Sequence, residues 1–377
     1  MKKKILFIST RNPYSGRLSG DVIRSLKIIN ILKKKNKIDV LYLSKKIQNK
    51  TPQKGTGFKY PNFLSKIIFC LISLLRLKPM QFGLFYSSEL KEYIAENADQ
   101  YDLLFFYHIR SAQYYPKNFR GKTILEMGDL YSKNYRQTYK NLNIFNPLAY
   151  IYLLESFLIK RTEGELFTDF DKIILFSKKE IEEINKEYKR NIFFIPESVN
   201  KIQRAFKFSK NNFKILFVGN LNYLPNKLAC YDFVKNIFPK ILKINPEIEF
   251  HIVGKTSKLD KFLLSLHSKV KVLGQKKNLK NYIKNAICGL ANLKVATGVQ
   301  GKVLTYMSFG LPVICSDETQ HNFDKSTLNY KHKNQLIKNI LDLKKNKSKS
   351  LKYSKKSWSF INKYKSNKIN LKYLEII

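Results

Sequence analysis

ANLKVATGVQGKVLTYMSFGLPVICSD, residues Ala291 to Asp317, decides the fold, because turn, helix and strand signals follow one another in it in a chemically readable order. Thr297, Gly298 and Gly301 open a segment in which Val303, Leu304, Met307 and Ser308 recur at helical spacing. Gly310 ends that helix, and Pro312 precedes a buried strand, Val313 to Cys315. The loop ahead of the helix is small and rich in free amides, and a helix N-terminus carries unpaired N–H groups and partial positive charge. Glycines that let an anion approach, followed at once by Lys302, read as a seat for a diphosphate. The same order also fits an ordinary loop, helix and strand of an α/β domain that binds nothing there.

Similar units surround this stretch. Lys4 to Ser9 reads as a buried strand, Thr10 to Gly20 as a loop with Pro13, Gly16 and Gly20, Asp21 to Lys34 as a helix and Ile38 to Leu43 as a second strand. Tyr101 to Tyr107 is a strand followed by His108, and Lys122 to Met127 a strand with Gly128 and Asp129 at its end. A long helix, Tyr150 to Phe167, and strands at Asp171 to Ser177 and Ile192 to Ile195 follow. A second βαβ series starts at Phe213, with strands Lys214 to Gly219, Glu249 to Gly254 and Val270 to Gly274. The polar, basic stretch Asn200 to Asn212 is its natural linker. Lys333 to Ile377 reads as lysine-rich helix whose one strong apolar cluster is Trp358, Phe360 and Ile361.

A chain of 377 residues suits two domains, each with its own core. Its 70 Lys and Arg against 28 Asp and Glu give a net charge of +42, which points to nucleic acid or an anionic membrane as partner. The lysines are dispersed, and abundant Ile, Asn, Phe and Tyr beside scarce Gly and Ala fit an A/T-rich coding bias equally well. Cys70, Cys230, Cys288 and Cys315 are far apart and form no C-x-x-C pair, so they read as core thiols of a reduced compartment. MKKKILFIST has too short an apolar run for a signal peptide, and no run is long enough to span a membrane. The expected location is cytoplasmic, free or peripheral on the inner face of the cytoplasmic membrane. Phe63 to Leu77, FLSKIIFCLISLLRL, fits either a helix packed on the sheet or one lying in the membrane interface with its basic residues at the headgroups.

The pattern G-x-Q-x-K-V-L-x-Y-M-x-x-G-x-P-V-I, Gly298 to Ile314, resembles the nucleotide-binding segment of GT-B glycosyltransferases of family 4, particularly bacterial sugar transferases of exopolysaccharide systems. The resemblance implies two doubly wound Rossmann-like domains facing a cleft: an acceptor domain over residues 1–205, a nucleotide-sugar domain over 206–350, and a C-terminal helix, 351–377, crossing back to the first domain. It implies that Gly219, Asn220, Gly274, Thr297, Gly298, Val299, Gln300, Gly301 and Thr305 bind the donor, with Lys302, Lys227 and His108 as catalytic groups. Arg11, Gly20, Arg24, Glu126, Asp129 and Ser132 match its acceptor side. Two glutamates that flank this loop in many relatives are replaced here by Thr297 and Thr305, and Pro196, Glu197 and Ser198 stand where many relatives carry an Asn-Gly pair.

The implied reaction moves a sugar from a nucleoside diphosphate to a hydroxyl of a glycan or lipid-linked acceptor, with retention at the anomeric carbon. It needs no cofactor and no metal, the departing diphosphate being stabilised by lysines and loop amides. Two other readings compete. A catalytically reduced scaffold of a polysaccharide assembly complex is favoured by Thr297 and Thr305. A nucleic-acid-binding protein is favoured by net charge alone, without a recognisable nucleic-acid module, so nucleic acid is not the expected partner.

Overall fold

A computed structural model describes residues 2–16, 19–45, 55–199 and 202–377. Residues 200 and 201 of the expected linker lie outside the described residues. The chain divides into two compact units, Met1–Pro196 with Asn370–Ile377, and Glu197–Ile369. Residues 197–199 and 202–205 thus go with the second unit, and the last eight residues with the first.

The first unit carries a seven-stranded sheet: β1 (Lys4–Ser9), β2 (Lys37–Ser44), β3 (Thr56–Lys59), β4 (Leu103–Tyr107), β5 (Lys122–Gly128), β6 (Lys172–Leu175) and β7 (Ile192–Phe194). Every pairing is parallel, in the order β3-β2-β1-β4-β5-β6-β7. Parallel strands covered on both faces must be apolar throughout, and Ile5, Leu6, Phe7 and Ile8 are all buried. The short edge strand Thr56–Lys59 lacks such a run and has no counterpart in the sequence reading.

The second unit carries β8 (Lys214–Val218), β9 (Glu249–Val253), β10 (Val270–Val272), β11 (Ala286–Ala291), β12 (Val313–Ser316) and β13 (Leu328–Tyr330). They pair in parallel in the order β10-β9-β8-β11-β12-β13. Ile215 and Phe217 pack with Phe233, Leu336 and Ile340 in one core, while Leu216 packs with Val303, Leu304 and Met307 in another. Alternate residues of one strand feeding two cores is the signature of a sheet wound on both faces. Both units have the doubly wound arrangement of the GT-B fold.

The region 333–377, expected as helix with a terminal helix over 351–377, holds three α-helices: Lys333–Lys345, Lys347–Ile361 and Ser366–Glu375. Asn346 separates the first two, and its side chain accepts from the Lys349 amide, so it stops one helix and caps the next. Among the described residues, no helix is long and apolar enough to cross a membrane.

Candidate functional site

In open α/β sheets a ligand binds where neighbouring strands send their chains in opposite directions, just beyond their carboxyl ends. In the second unit that point lies between β8 and β11, where Gly219 and the 292–300 loop emerge. The Gly219 amide donates to Val253 O and the Gly254 amide to Gly274 O, both at 2.9 Å, so three glycine turns sit side by side along this edge. A Cβ at Gly254 would lie 1.8 Å from the Gly219 carbonyl oxygen, so only glycine allows that approach. Gly274, with φ +71°, has open space where its Cβ would be. Asn220 shapes the loop, its carbonyl accepting from Asn226 Nδ2 at 2.9 Å and its side chain from the Asn222 amide at 3.0 Å.

The helix that follows the glycine loop runs Gly301–Ser308 and is pinned from behind. The Tyr306 hydroxyl accepts from the Val218 amide at 2.6 Å and reaches Leu290 O at 3.2 Å. Gly289 makes this contact feasible, since a Cβ there would fall 2.3 Å from the Tyr306 ring. The loop itself closes through Gln300 Nε2, which donates to Thr297 O at 2.8 Å, and through Asn322, which donates to Gly298 O. Gly298 takes φ +61°. Thr297 and Gly298 are buried within the turn, whereas Val299 and Gln300 are half-buried and Gly301 is exposed at the start of the helix.

Lys302 brings a cation to this site. Its residue surface is only half-buried, but the ammonium lies 4.2 Å from the centre of the Phe217 ring and donates to Asn226 Oδ1 at 2.5 Å. Burial pushes its pKa down to about 7. Lys227 is engaged differently, paired with Asp260 at 2.7 Å, where Tyr231 and Ser257 also hydrogen-bond the carboxylate. Its charge is therefore partnered within the fold, and Lys302 is the better placed of the two for a ligand.

Thr305 donates to Gly301 O at 2.8 Å, so its hydroxyl is occupied by its own helix. Glu197 brings a carboxylate to the helix start: a Cβ on Gly301 would sit 3.3 Å from Glu197 Oε2. The sequence reading does not select this residue, although Pro196, Glu197 and Ser198 standing in place of an Asn-Gly pair is its signal. An acid beside a helix N-terminus is favourable electrostatically.

In the first unit the corresponding point lies between β1 and β4, where Arg11 and His108 emerge. Arg11 pairs with Asp21, and Tyr60 and Tyr107 tie the loop by donating to Thr10 O at 2.8 Å and Asp21 O at 2.9 Å. Burial pushes the Asp21 carboxyl up, but the Arg11 charge and hydrogen bonds outweigh it and hold it below the ordinary value. His108 has φ +75°, a conformation costly for a residue with a Cβ, and its ring meets the Tyr131 hydroxyl, with Nε2 at 2.9 Å. Burial, with Arg110 and Arg11 nearby, lowers its pKa to about 3, so at neutral pH it is an uncharged hydrogen-bonding group. Gly20 begins the helix Gly20–Leu32 with open space beside it, and Asp129 is half-buried beyond β5.

Three of the expected acceptor residues have partners within the first unit. Arg24 donates to Glu126 Oε1 at 2.6 Å and to the Tyr373 hydroxyl at 2.7 Å, and Tyr373 in turn donates to Glu126 Oε2 at 2.7 Å. This buried triad, stacked on Phe176 through Arg24, occupies both side chains in holding the terminal helix to its unit. Ser132 is likewise held, its amide and hydroxyl both donating to Glu163. Burial raises that carboxyl to about 7 against those hydrogen bonds. One D-x-D spacing exists, Asp169-Phe170-Asp171, but Asp171 accepts from the Thr123 amide at 2.8 Å and hydroxyl at 2.9 Å and so serves the sheet.

Residues 212–346 match the family described as Glycosyl transferases group 1. A 116-residue stretch is 31% identical to an uncharacterized 44.6 kDa protein in the cps region of Klebsiella pneumoniae, covering 30% of this chain and 28% of that protein. The chain thus matches well under two thirds of that relative's length. Among solved structures, the fold is similar to TarM, with TM-score 0.65, 12% identity, and coverage of 100% of this chain and 99% of that one. It is also similar to HepE from Anabaena in complex with UDP-glucose, with TM-score 0.66, 13% identity, and coverage of 99% and 98%.

Proposed function

We propose that the protein is a GT-B glycosyltransferase that moves a sugar from a nucleoside diphosphate to a hydroxyl of a glycan or lipid-linked acceptor in cell-surface polysaccharide or glycolipid synthesis. The observation that carries this reading is Lys302, its ammonium buried beside the start of a helix at the turning point of the second sheet, within the segment that matches the family. HepE, a structural relative, has been solved with UDP-glucose, which supports a nucleotide sugar as donor. The Klebsiella relative lies in a cps region, which supports polysaccharide synthesis as the setting.

In this mechanism the diphosphate sits against the helix start, and Lys302 with the loop amides offsets the charge that grows as the sugar departs. Because those groups are fixed before the reaction, little reorganisation opposes the step. His108 in the first unit, uncharged at neutral pH, offers hydrogen bonds to a hydroxyl without exchanging a proton. Retention at the anomeric carbon belongs to the same proposal. The decisive experiment is product mass spectrometry with a panel of nucleotide sugars and lipid-linked acceptors. Absence of both transfer and nucleoside diphosphate binding in a folded protein would leave the scaffold reading in its place.

Ribose recognition gives a finer test. Thr305 has one neutral oxygen already bonded to its helix, so Thr305→Glu is expected to tighten nucleoside diphosphate binding by about 1 to 2 kcal/mol and to sharpen discrimination against the 2′-deoxy form. Calorimetry with ribo and deoxy ligands measures both. An unchanged preference in a folded variant would remove this helix face from the ribose site.

A further inference from the structure

The helix Phe63–Leu75 is mounted with its apolar side outward. Its inner side is set by Gly83, where a Cβ would lie 2.4 Å from the Cys70 amide nitrogen, so the helix backbone rests directly on that turn. Cys70 Sγ donates to Met80 O at 3.3 Å, and the Phe69 ring packs 4.8 Å from Tyr86. Ser65 and Ser73 are among the half-buried positions, while Phe63 (77% exposed), Leu64, Ile67, Ile68, Leu71 and Leu75 (84%) face away. A helix that packs on its sheet shows the reverse.

A second strip lies on the helix Pro147–Asp169 of the same unit. Leu148, Ile151, Leu154 and Phe157 recur every three residues along its exposed side, and Phe145, 90% exposed, precedes them. The two strips are linked through the turn after the first helix: Glu155 accepts from the Met80 amide and Glu165 pairs with Lys78. No Asp or Glu occurs between Gly55 and Glu89 or between Asp129 and Glu155, whereas Lys59, Arg76, Arg136 and Lys140 are exposed there; beyond Glu155, Lys160 is exposed and Arg161 pairs with Glu165 at 3.5 Å.

We propose that these two strips form one docking surface for an anionic lipid bilayer, with the leucine, isoleucine and phenylalanine side chains entering the interface and the surrounding lysines and arginines at the headgroups. Aliphatic burial and attraction to negative lipid act together in such a surface, and neither alone makes it selective. The inference is independent of the transferase reading, since it concerns binding to lipid and not turnover.

The test is flotation of the full chain with vesicles of phosphatidylcholine alone or with about one third phosphatidylglycerol, at low and high salt. The wild type is expected to float with the anionic vesicles and to be partly released by salt. A variant carrying Leu64→Ser, Leu71→Ser and Leu75→Ser, and another carrying Ile151→Ser and Phe157→Ser, keep every charge and replace only exposed side chains. Each is expected to lose about tenfold or more in vesicle affinity with an unchanged melting curve. Undiminished flotation of either variant would mean that the charge of +42 alone drives binding and would overturn the proposal. A wild type that ignores anionic vesicles would overturn it too, and self-association of that protein in sedimentation would identify a second copy as the cover.

Discussion

Lys302→Met is expected to weaken nucleoside diphosphate binding by about 1.5 to 3 kcal/mol, the scale of a charge-assisted hydrogen bond, while melting is unchanged or raised. Methionine keeps length and apolar contact with Phe217 and removes only the ammonium. The pH dependence separates this from a packing effect. Burial places the Lys302 ammonium near pKa 7 in the free protein, below its value in an unfolded chain. Between about pH 7 and 10 the unfolded state therefore holds the extra proton, so this residue's contribution makes stability rise with pH across that window. A bound diphosphate draws the proton back. Wild-type affinity is then expected to fall by up to about tenfold per pH unit above pH 7, while the methionine variant shows a flat profile. Calorimetry from pH 7 to 9 measures both curves. Parallel curves for the two proteins would show that Lys302 is a support for Asn226 and not a ligand for phosphate.

Gly254→Ala is expected to be the most damaging single methyl group in the second unit. Its Cβ would sit 1.8 Å from Gly219 O, a backbone atom that cannot rotate aside, so the first turn of the site must shift. A loss of about 2 to 4 kcal/mol follows from forced overpacking, seen as a melting temperature lower by roughly 10 °C. Donor binding should fall with it, because the Gly219 turn is the one displaced. Gly274→Ala is the control: its Cβ meets nothing within 4 Å, and only the positive φ is penalised, at about 1 to 2 kcal/mol. Equal melting curves for the two variants would show that the close approach at Gly254 relaxes without strain.

Much of the second unit was legible because its signals are local. Glycine at 298 and 310, a helical apolar spacing between them and Pro312 ahead of a strand each act over a few residues, and the helix and strand form where those signals place them. The length and order of the apolar runs likewise separated two doubly wound units. The short strands Thr56–Lys59 and Leu328–Tyr330 escaped that reading, since three or four residues at a sheet edge carry too little apolar pattern to stand out, and the central strand Ala286–Ala291 escaped it too, its Ala, Cys and Gly carrying little strand propensity.

What the sequence by itself determined was where most of the longer helices and strands lie and which loops carry small residues and a lysine, because propensity and periodicity are properties of neighbours in the chain. Only the tertiary structure decided which side chains remain available. Arg24 and Glu126 are apart by 102 positions, and Tyr373 is farther still, yet the three close one buried triad that gives two expected acceptor residues partners of their own. Glu197 reaches Gly301 from the far end of its unit's chain. The helix Phe63–Leu75 shows the division most plainly. Its composition makes it an amphipathic helix, but the direction of its apolar side was set by Gly83, whose missing side chain lets the helix backbone settle there and leaves the apolar face outward.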